Sequence, residues 1–307
     1  MTTNLKGARV LVAGATGFLG QYVSAVLSSV GVHILPVSRR VGYDFRYEEE
    51  ALQAALVARP DIVIHLVASG APGSAEAFET SLRAGLNLVR AAALCRARFV
   101  AVSRPGEPGS LEEIARASLL GLCRAYAKEH RFAFVQLVPC AMYGPLDRPG
   151  PGRTISTILE TLMDAKAQKA PSVVLQGHPE APCPLVFAGD VAEAVVAACA
   201  LPGCHEPLNV VPEGEPDTFK GIVERLARLI GYNGKVSFEG TDGWCTPPKG
   251  LSAREILDWA ARTPLEAGLS DTVRWRLGQA TKEEKAPSES TAAAAVVEGV
   301  KTGGGRA

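Results

Sequence analysis

The sequence predicts an α/β fold, a doubly wound parallel sheet joined to a smaller C-terminal α/β lobe of the substrate-binding type. Three observations carry that expectation. Short apolar runs alternate with helical patterns through the first half of the chain. The first run opens straight into a glycine-rich turn and then a helical pattern. Beyond about residue 145, prolines and glycines break the regularity, and a less even mixture of elements follows.

In order, residues 8–13 (ARVLVA) read as a strand buried in a parallel sheet. Residues 18–30 follow with Leu19, Val23, Val26, Leu27 and Val30 at helical spacing. A second strand is expected over 32–37 (VHILPV), a helix over 48–58 and a third strand over 61–67 (DIVIHLV). Residues 82–95 read as helix, 98–102 (RFVAV) as strand, 111–130 as helix and 132–138 (FAFVQLV) as strand. Pro145, Pro149, Gly150, Pro151 and Gly152 mark a loop. After it come a helix over 154–167 and a short strand over 173–175. Asp190 is placed as the N-cap of a helix over 191–200. A strand over 208–211 and a helix over 218–230, stopped by Gly231, complete the pattern. From about Ala280 large apolar residues almost vanish, which predicts disorder. The expected domains are thus 1–150 for nucleotide binding, continuing through part of 185–212, then 151–279 for the smaller lobe, with 280–307 as a tail.

The chain has 307 residues, of which 47% are hydrophobic and 21% charged, as in a globular protein with a sizeable core. Lys plus Arg and Asp plus Glu are 32 each, so the formal net charge is zero. That balance supplies no electrostatic footprint for nucleic acid. No apolar run reaches membrane-spanning length. The N-terminus lacks a signal-peptide core, so a cytoplasmic location is expected, with organelle import left open. The seven cysteines, Cys95, Cys123, Cys140, Cys183, Cys199, Cys204 and Cys245, include no C-x-x-C pair. Reduced, mostly buried thiols are expected, with neither a metal site nor a disulfide framework.

The strongest local signal is Gly14-Ala-Thr16-Gly17-Phe18-Leu19-Gly20, between the first strand and the first helix. Gly14 suits a tight turn, Gly17 a close approach of backbone to a pyrophosphate, and Gly20 close helix–strand packing. The helix N-terminus then offers free N–H groups to the anion. This is the dinucleotide-binding arrangement of a Rossmann-type fold; a tight turn without a ligand is the alternative. At the end of the second strand stand Ser38-Arg39-Arg40, where an acidic residue would bind the ribose diol of NAD. Two guanidiniums there suit a 2′-phosphate, so NADP(H) is preferred over NAD(H), against a plain solvated turn. Asp44 and Phe45 are placed at the adenine edge and face, and Leu66 and Ala68, after the third strand, complete the expected cofactor residues.

Several longer segments carry a family resemblance. They are GATGFLG (14–20), DIVIHLVA (61–68), LCRAYAKEH (122–130), VPCAMYGP (138–145), AQKAPSVVLQG (167–177), FAGDVAEA (187–194), GYNGKVSFEGTDGWCTPPKGL (231–251) and LSDTVRWRL (269–277). Over nearly all of residues 8–278 the chain resembles the extended short-chain dehydrogenases/reductases, and within them the GDP-L-fucose synthases. The resemblance implies an NADPH-dependent epimerase-reductase acting on a nucleotide sugar. It also implies a catalytic Tyr four residues before a Lys, with a Ser orienting the keto oxygen.

That machinery is missing from the sequence. The residues four beyond the six tyrosines are Val26, Tyr47, Ala51, His130, Asp147 and Val236, none of them Lys. In the family register Glu112 takes the Tyr position, Arg116 the Lys position and Arg104 the Ser position, while Gly106 replaces a catalytic Cys. Glu112 and Arg116 are expected to form a surface i,i+4 ion pair. Ordinary carboxylates are poor proton donors at neutral pH, and Arg does not release its proton. On the substrate side Arg153 stands for a catalytic His, Ala141 for an Asn and Cys183 for a diphosphate-binding Arg; Lys249 is retained as a weak anchor.

No catalytic residue is therefore assigned and no metal is expected. The leading expectation is a catalytically degenerate relative that holds NADP(H), as a structural ligand, and acts as a structural or accessory subunit. Its partner would be another protein or a second copy. The alternative is an active NADPH-dependent nucleotide-sugar epimerase/reductase using displaced groups, with Ser103, Tyr143 and Lys128 as candidates. Tyr126 is expected to pack in the core. A third expectation is an NADPH-responsive regulator.

Overall fold

The computed structural model describes residues 5–68, 73–130, 132–150, 154–240 and 250–285, with 280–285 described as backbone only. The elements run β1 (Arg9–Ala13), α1 (Phe18–Ser29), β2 (His33–Val37), a 3-10 turn (Arg39–Val41) and α2 (Glu48–Ala58). They continue with β3 (Ile62–His65), α3 (Ala75–Leu94), β4 (Arg98–Val102), α4 (Leu111–His130), β5 (Phe134–Pro139) and β6 (Ala141–Tyr143). The second half holds α5 (Thr154–Ala167), β7 (Ser172–Gln176), β8 (Leu185–Phe187), α6 (Ala188–Ala198), β9 (Leu208–Val210) and α7 (Phe219–Ile230). It closes with β10 (Lys235–Glu239), β11 (Leu251–Ser252), α8 (Ala253–Leu257) and α9 (Leu265–Lys285).

Seven strands form one parallel sheet in the order β11-β9-β5-β4-β3-β1-β2. The strand alternation explains how it is covered on both faces. Val10 and Val12 of β1 pack with Leu19, Val23 and Leu27 of α1 and Val191 and Val195 of α6. Leu11 and Ala13 point to the opposite core, built with Ala51, Ala54 and Ala55 of α2, Leu88 of α3 and Leu119 of α4. Period-two apolar strands thus supply two cores from one sheet. Pro36, which has no N–H to donate, sits in the edge strand β2. A third core joins α5, α7 and α9 to the parallel pairs β7–β10 and β6–β8.

Several boundaries differ from the sequence reading. Helix α3 starts at Ala75 rather than 82, because Ser74 caps it by accepting the N–H of Ala77 at 3.1 Å. Asp190 is not an N-cap: α6 begins at Ala188, and Asp190 lies in its first turn. Its buried carboxylate accepts both the N–H and the hydroxyl of Thr263, at 3.1 and 3.2 Å. It joins α6 to the segment after α8 instead of closing its own helix. The sequence pattern assigns no element at β6, β8, β10, β11, α8 or α9. Helix α9 runs to Lys285, into the stretch expected to be disordered; the rest of that tail lies outside the described residues. Among the described residues, no helix is long and apolar enough to cross a membrane.

Candidate functional site

The glycine turn joins β1 to α1 at the carboxyl edge of the sheet. The order reverses beside β1, which pairs with β2 on one side and β3 on the other, the usual place for a ligand crevice. The Gly14 N–H donates to the Val37 carbonyl at 2.9 Å, and φ of +92° there requires glycine. At Gly20 a Cβ would stand 2.2 Å from the Gly14 carbonyl oxygen and 2.7 Å from that of Ala15, so α1 can approach the turn only without a side chain. The N-cap, Gly17, has no side chain to satisfy the leading N–H groups, and the first turn of α1 holds no acidic residue. A dinucleotide pyrophosphate fits the cradle that the turn and the start of α1 form.

A cavity of about 580 Å³ opens beside the turn. Gly14, Gly17, Phe18, Leu19, Gly20, Leu66 and Ala68 line it, whereas Thr16, Arg39, Arg40, Asp44 and Phe45 do not. Arg39 and Arg40 are exposed in the 3-10 turn that follows β2, the strand next to the glycine turn. Phe45 is not presented to an adenine: it is buried in the second core and its ring stacks on Tyr43 at 6.3 Å. Asp44 ion-pairs with Arg46, whose hydrogen bonds hold its carboxyl below the usual range. A tight turn and the core claim both residues.

Across the crevice, Ser103, Arg104, Gly106 and Glu112 form one wall. The expected Glu112–Arg116 surface pair is absent. Glu112 accepts the backbone N–H of Gly73, tying the first turn of α4 to the segment before α3. Arg116 is buried and pairs with Glu113 at 3.4 Å, three residues away rather than four. Beneath this wall lies a polar layer that the sequence reading missed. Gln136, buried in β5, donates through Nε2 to the Ser103 hydroxyl at 2.9 Å and to the Arg116 carbonyl at 3.2 Å. His65, buried at the end of β3, accepts the Val67 N–H at Nδ1, 3.3 Å away. Burial pulls its pKa down to about 4, so the ring is neutral at physiological pH.

The displaced groups Ser103, Tyr143 and Lys128 do not converge. Ser103 faces the crevice, while Tyr143 is buried in the third core against Phe187. Lys128 is exposed in the last turn of α4, about 24 Å along the helix from Glu112 at the usual rise per residue. Tyr126 packs half-buried beside Phe132, as expected. Ala141 lines the crevice and Cys183 is buried in the third core. Arg153, Lys249 and Cys245 lie outside the described residues. Cys123, Cys140 and Cys199 are buried free thiols whose pKa values are raised to about 12 by burial. Among the described residues, no group of three or more His, Cys, Asp or Glu side chains is arranged to hold a metal ion.

Other lining residues also escaped the sequence reading, among them Met142, Ile155, Gln176, Gly177 and Phe219. Only Gly177 left a signal, as a glycine directly after a strand: at φ of +133° its missing side chain leaves room for the Phe219 ring.

The parallel sheet and the glycine turn after β1 define an α/β protein of the Rossmann type. The sequence profile of the NAD dependent epimerase/dehydratase family matches residues 10–210, more than half of the chain, and the protein belongs to that family. It is 25% identical over 303 residues to the Oryza sativa subsp. japonica protein named "Probable GDP-L-fucose synthase 1", covering 88% of this chain and 92% of that protein. A GDP-L-fucose synthase of Sinorhizobium fredii is 23% identical, with 87% and 94% covered. Among solved structures, a GDP-L-fucose synthetase from Naegleria fowleri bound to NADP superposes with a TM-score of 0.76 at 15% identity, covering 89% of this chain and 93% of that one. The fold resembles that of these enzymes.

Proposed function

We propose that this protein is an NADP(H)-holding, catalytically silent relative of GDP-L-fucose synthase that serves as a structural or accessory subunit. The observation that carries this reading is the composition of the crevice. Among its described lining residues there is neither a tyrosine nor a lysine. Glu112 and Arg116, at the four-residue spacing, are engaged with Gly73 and Glu113. A guanidinium offers hydrogen-bond donors but is no general acid or base.

The chain's own groups support holding a nucleotide. The N–H groups at the start of α1 would bind the pyrophosphate, and Arg39 and Arg40 a 2′-phosphate. Bound NADP(H) would supply a hydride to a working active site; here it stabilises the fold by mass action. The NADP named with the Naegleria structure agrees with this preference. The lobe division at about residue 150, a cytoplasmic setting and a partner, either another protein or a second copy, belong to the same proposal.

The test is NADPH oxidation in the presence of GDP-4-keto-6-deoxymannose. The expected rate equals the buffer background, and clear turnover overturns the proposal. The competing reading, an active nucleotide-sugar epimerase/reductase, has the position of Ser103 at the crevice in its favour, and that turnover would establish it.

A further inference from the structure

A second cavity, of about 660 Å³, lies at the amino edge of the main sheet, the opposite end from the glycine turn. Ala8, Ile62, Arg98 and Ala133 line it at the starts of β1, β3, β4 and β5. Arg96, just past α3, and His130, the last residue of α4, add basic side chains to the lining.

The charge around this cavity is mainly of one sign. Asp61 is the one carboxylate of the described lining, and Arg9 already holds it. The Arg9 backbone N–H donates to Asp61 at 2.8 Å, and its guanidinium lies 3.5 Å from the same oxygen. Exposed Glu129, outside the lining, stands 3.8 Å from His130. Arg59 joins the cluster through Cys95, the neighbour of Arg96. Burial raises the pKa of that thiol, and the charges of Arg59 and Arg9 oppose the rise. The flanking residues outside the described set, 1–4 and Arg131, bring no carboxylate.

Helix carboxyl ends account for part of this charge. Each is worth roughly half a negative unit, and cations beside them need no ligand. Arg9, Arg59, Arg96 and Arg98 nevertheless outweigh Asp61 and the ends of α2, α3 and α6. Arg98 also has donors to spare. Its Nη1 donates to the Cys199 carbonyl after α6, which leaves the Nε–Nη2 edge. That edge is the one that grips an oxyanion with two parallel hydrogen bonds. Among the described residues, the buried Nε meets no acceptor.

We infer that this cavity is a second ligand site, which takes a small polyanion bearing phosphate or carboxylate groups. It stands apart from the crevice and does not depend on the nucleotide reading of the glycine turn.

The experiment uses the full chain, with the thermal shift by NADPH as a separate readout of the glycine-turn end. Isothermal titration with tripolyphosphate, and separately with citrate, tests the second site, with NADPH present if it binds. Saturable, sub-millimolar binding of at least one probe is expected, and the arm that binds identifies the anion chemistry. Saturation by neither overturns the inference. Arg96→Glu is expected to weaken the bound probe at least about tenfold while leaving the NADPH shift intact. Arg39→Ala with Arg40→Ala should leave probe affinity unchanged. Where Arg96→Glu lowers the melting temperature of the free protein, Arg98→Lys decides. It keeps the charge and loses the paired donors, so a several-fold loss is expected. Unchanged affinity in the deciding variant overturns the inference, as does a loss confined to the Arg39 and Arg40 substitutions.

Discussion

Gly106 and Glu113 are packed so closely that a Cβ on the glycine would stand 2.5 Å from the glutamate's backbone nitrogen. The same atom would meet the Glu112 Cβ and the Ser110 Oγ at 2.8 Å. The loop after β4 therefore folds flat onto the first turn of α4, where Ser110 accepts the Glu113 N–H at 3.2 Å. Gly106→Cys, which would supply the thiol that the family resemblance implies at this position, is expected to destabilise the protein by about 1–3 kcal/mol through overpacking. Urea unfolding measures it; an unchanged midpoint would show that the loop has room. No turnover should appear with the new thiol.

Gly20→Ala sets two effects against each other. Alanine in a helix is worth roughly 0.5–1 kcal/mol over glycine. The new Cβ, however, would lie 2.2 Å from a carbonyl oxygen of the glycine turn, and backbone must move to admit it. The clash is expected to win. Both the melting temperature and the NADPH-induced shift should fall, and a gain in stability would refute the packing account.

Arg39 and Arg40 are exposed just beyond β2, so replacing them should leave the fold within about 0.5 kcal/mol of the original. Arg39→Ala with Arg40→Ala is expected to remove any excess of the NADPH thermal shift over the NADH shift. A preference that survives the double substitution would place the 2′-phosphate elsewhere.

His65 makes stability depend on pH. Its folded pKa is pulled from the ordinary 6.5 to about 4 by burial, so between those values the unfolded chain binds a proton that the folded chain refuses. The contribution is complete above about pH 6.5 and is lost as pH falls towards 4, about 3 kcal/mol over the interval. His65→Asn, which keeps an acceptor for the Val67 N–H, should flatten this limb of the pH–stability curve. Parallel curves for the two proteins would contradict it.

The sheet and its glycine turn were legible because their signals are local. Strands 98–102 and helices 48–58, 111–130 and 154–167 fall where periodicity put them. The short strands β6, β8 and β11 were not legible, since two or three residues are too few to show a period; β9, equally short, was read from its apolar residues alone. Asp190 misled because a carboxylate near a helix start resembles a cap, while its partner Thr263 is distant in sequence. Arg116 misled for a related reason: spacing alone cannot choose between Glu112 and Glu113, and the Gly73 N–H, from the segment before α3, takes Glu112. The far wall of the crevice draws on β5, β6, α5 and α7, so it exists only after folding.

Strands β9 and β11, which extend the main sheet past β5, are contributed by residues 208–210 and 251–252, long after the polypeptide has left to build the third core. The amino-terminal half is consequently not a detachable cassette. Cutting the chain near residue 150 would turn β5, whose six residues are all buried, into a raw edge with unpaired amide and carbonyl groups. Such a fragment would self-associate instead of standing alone, and the intact protein should melt as a single cooperative unit.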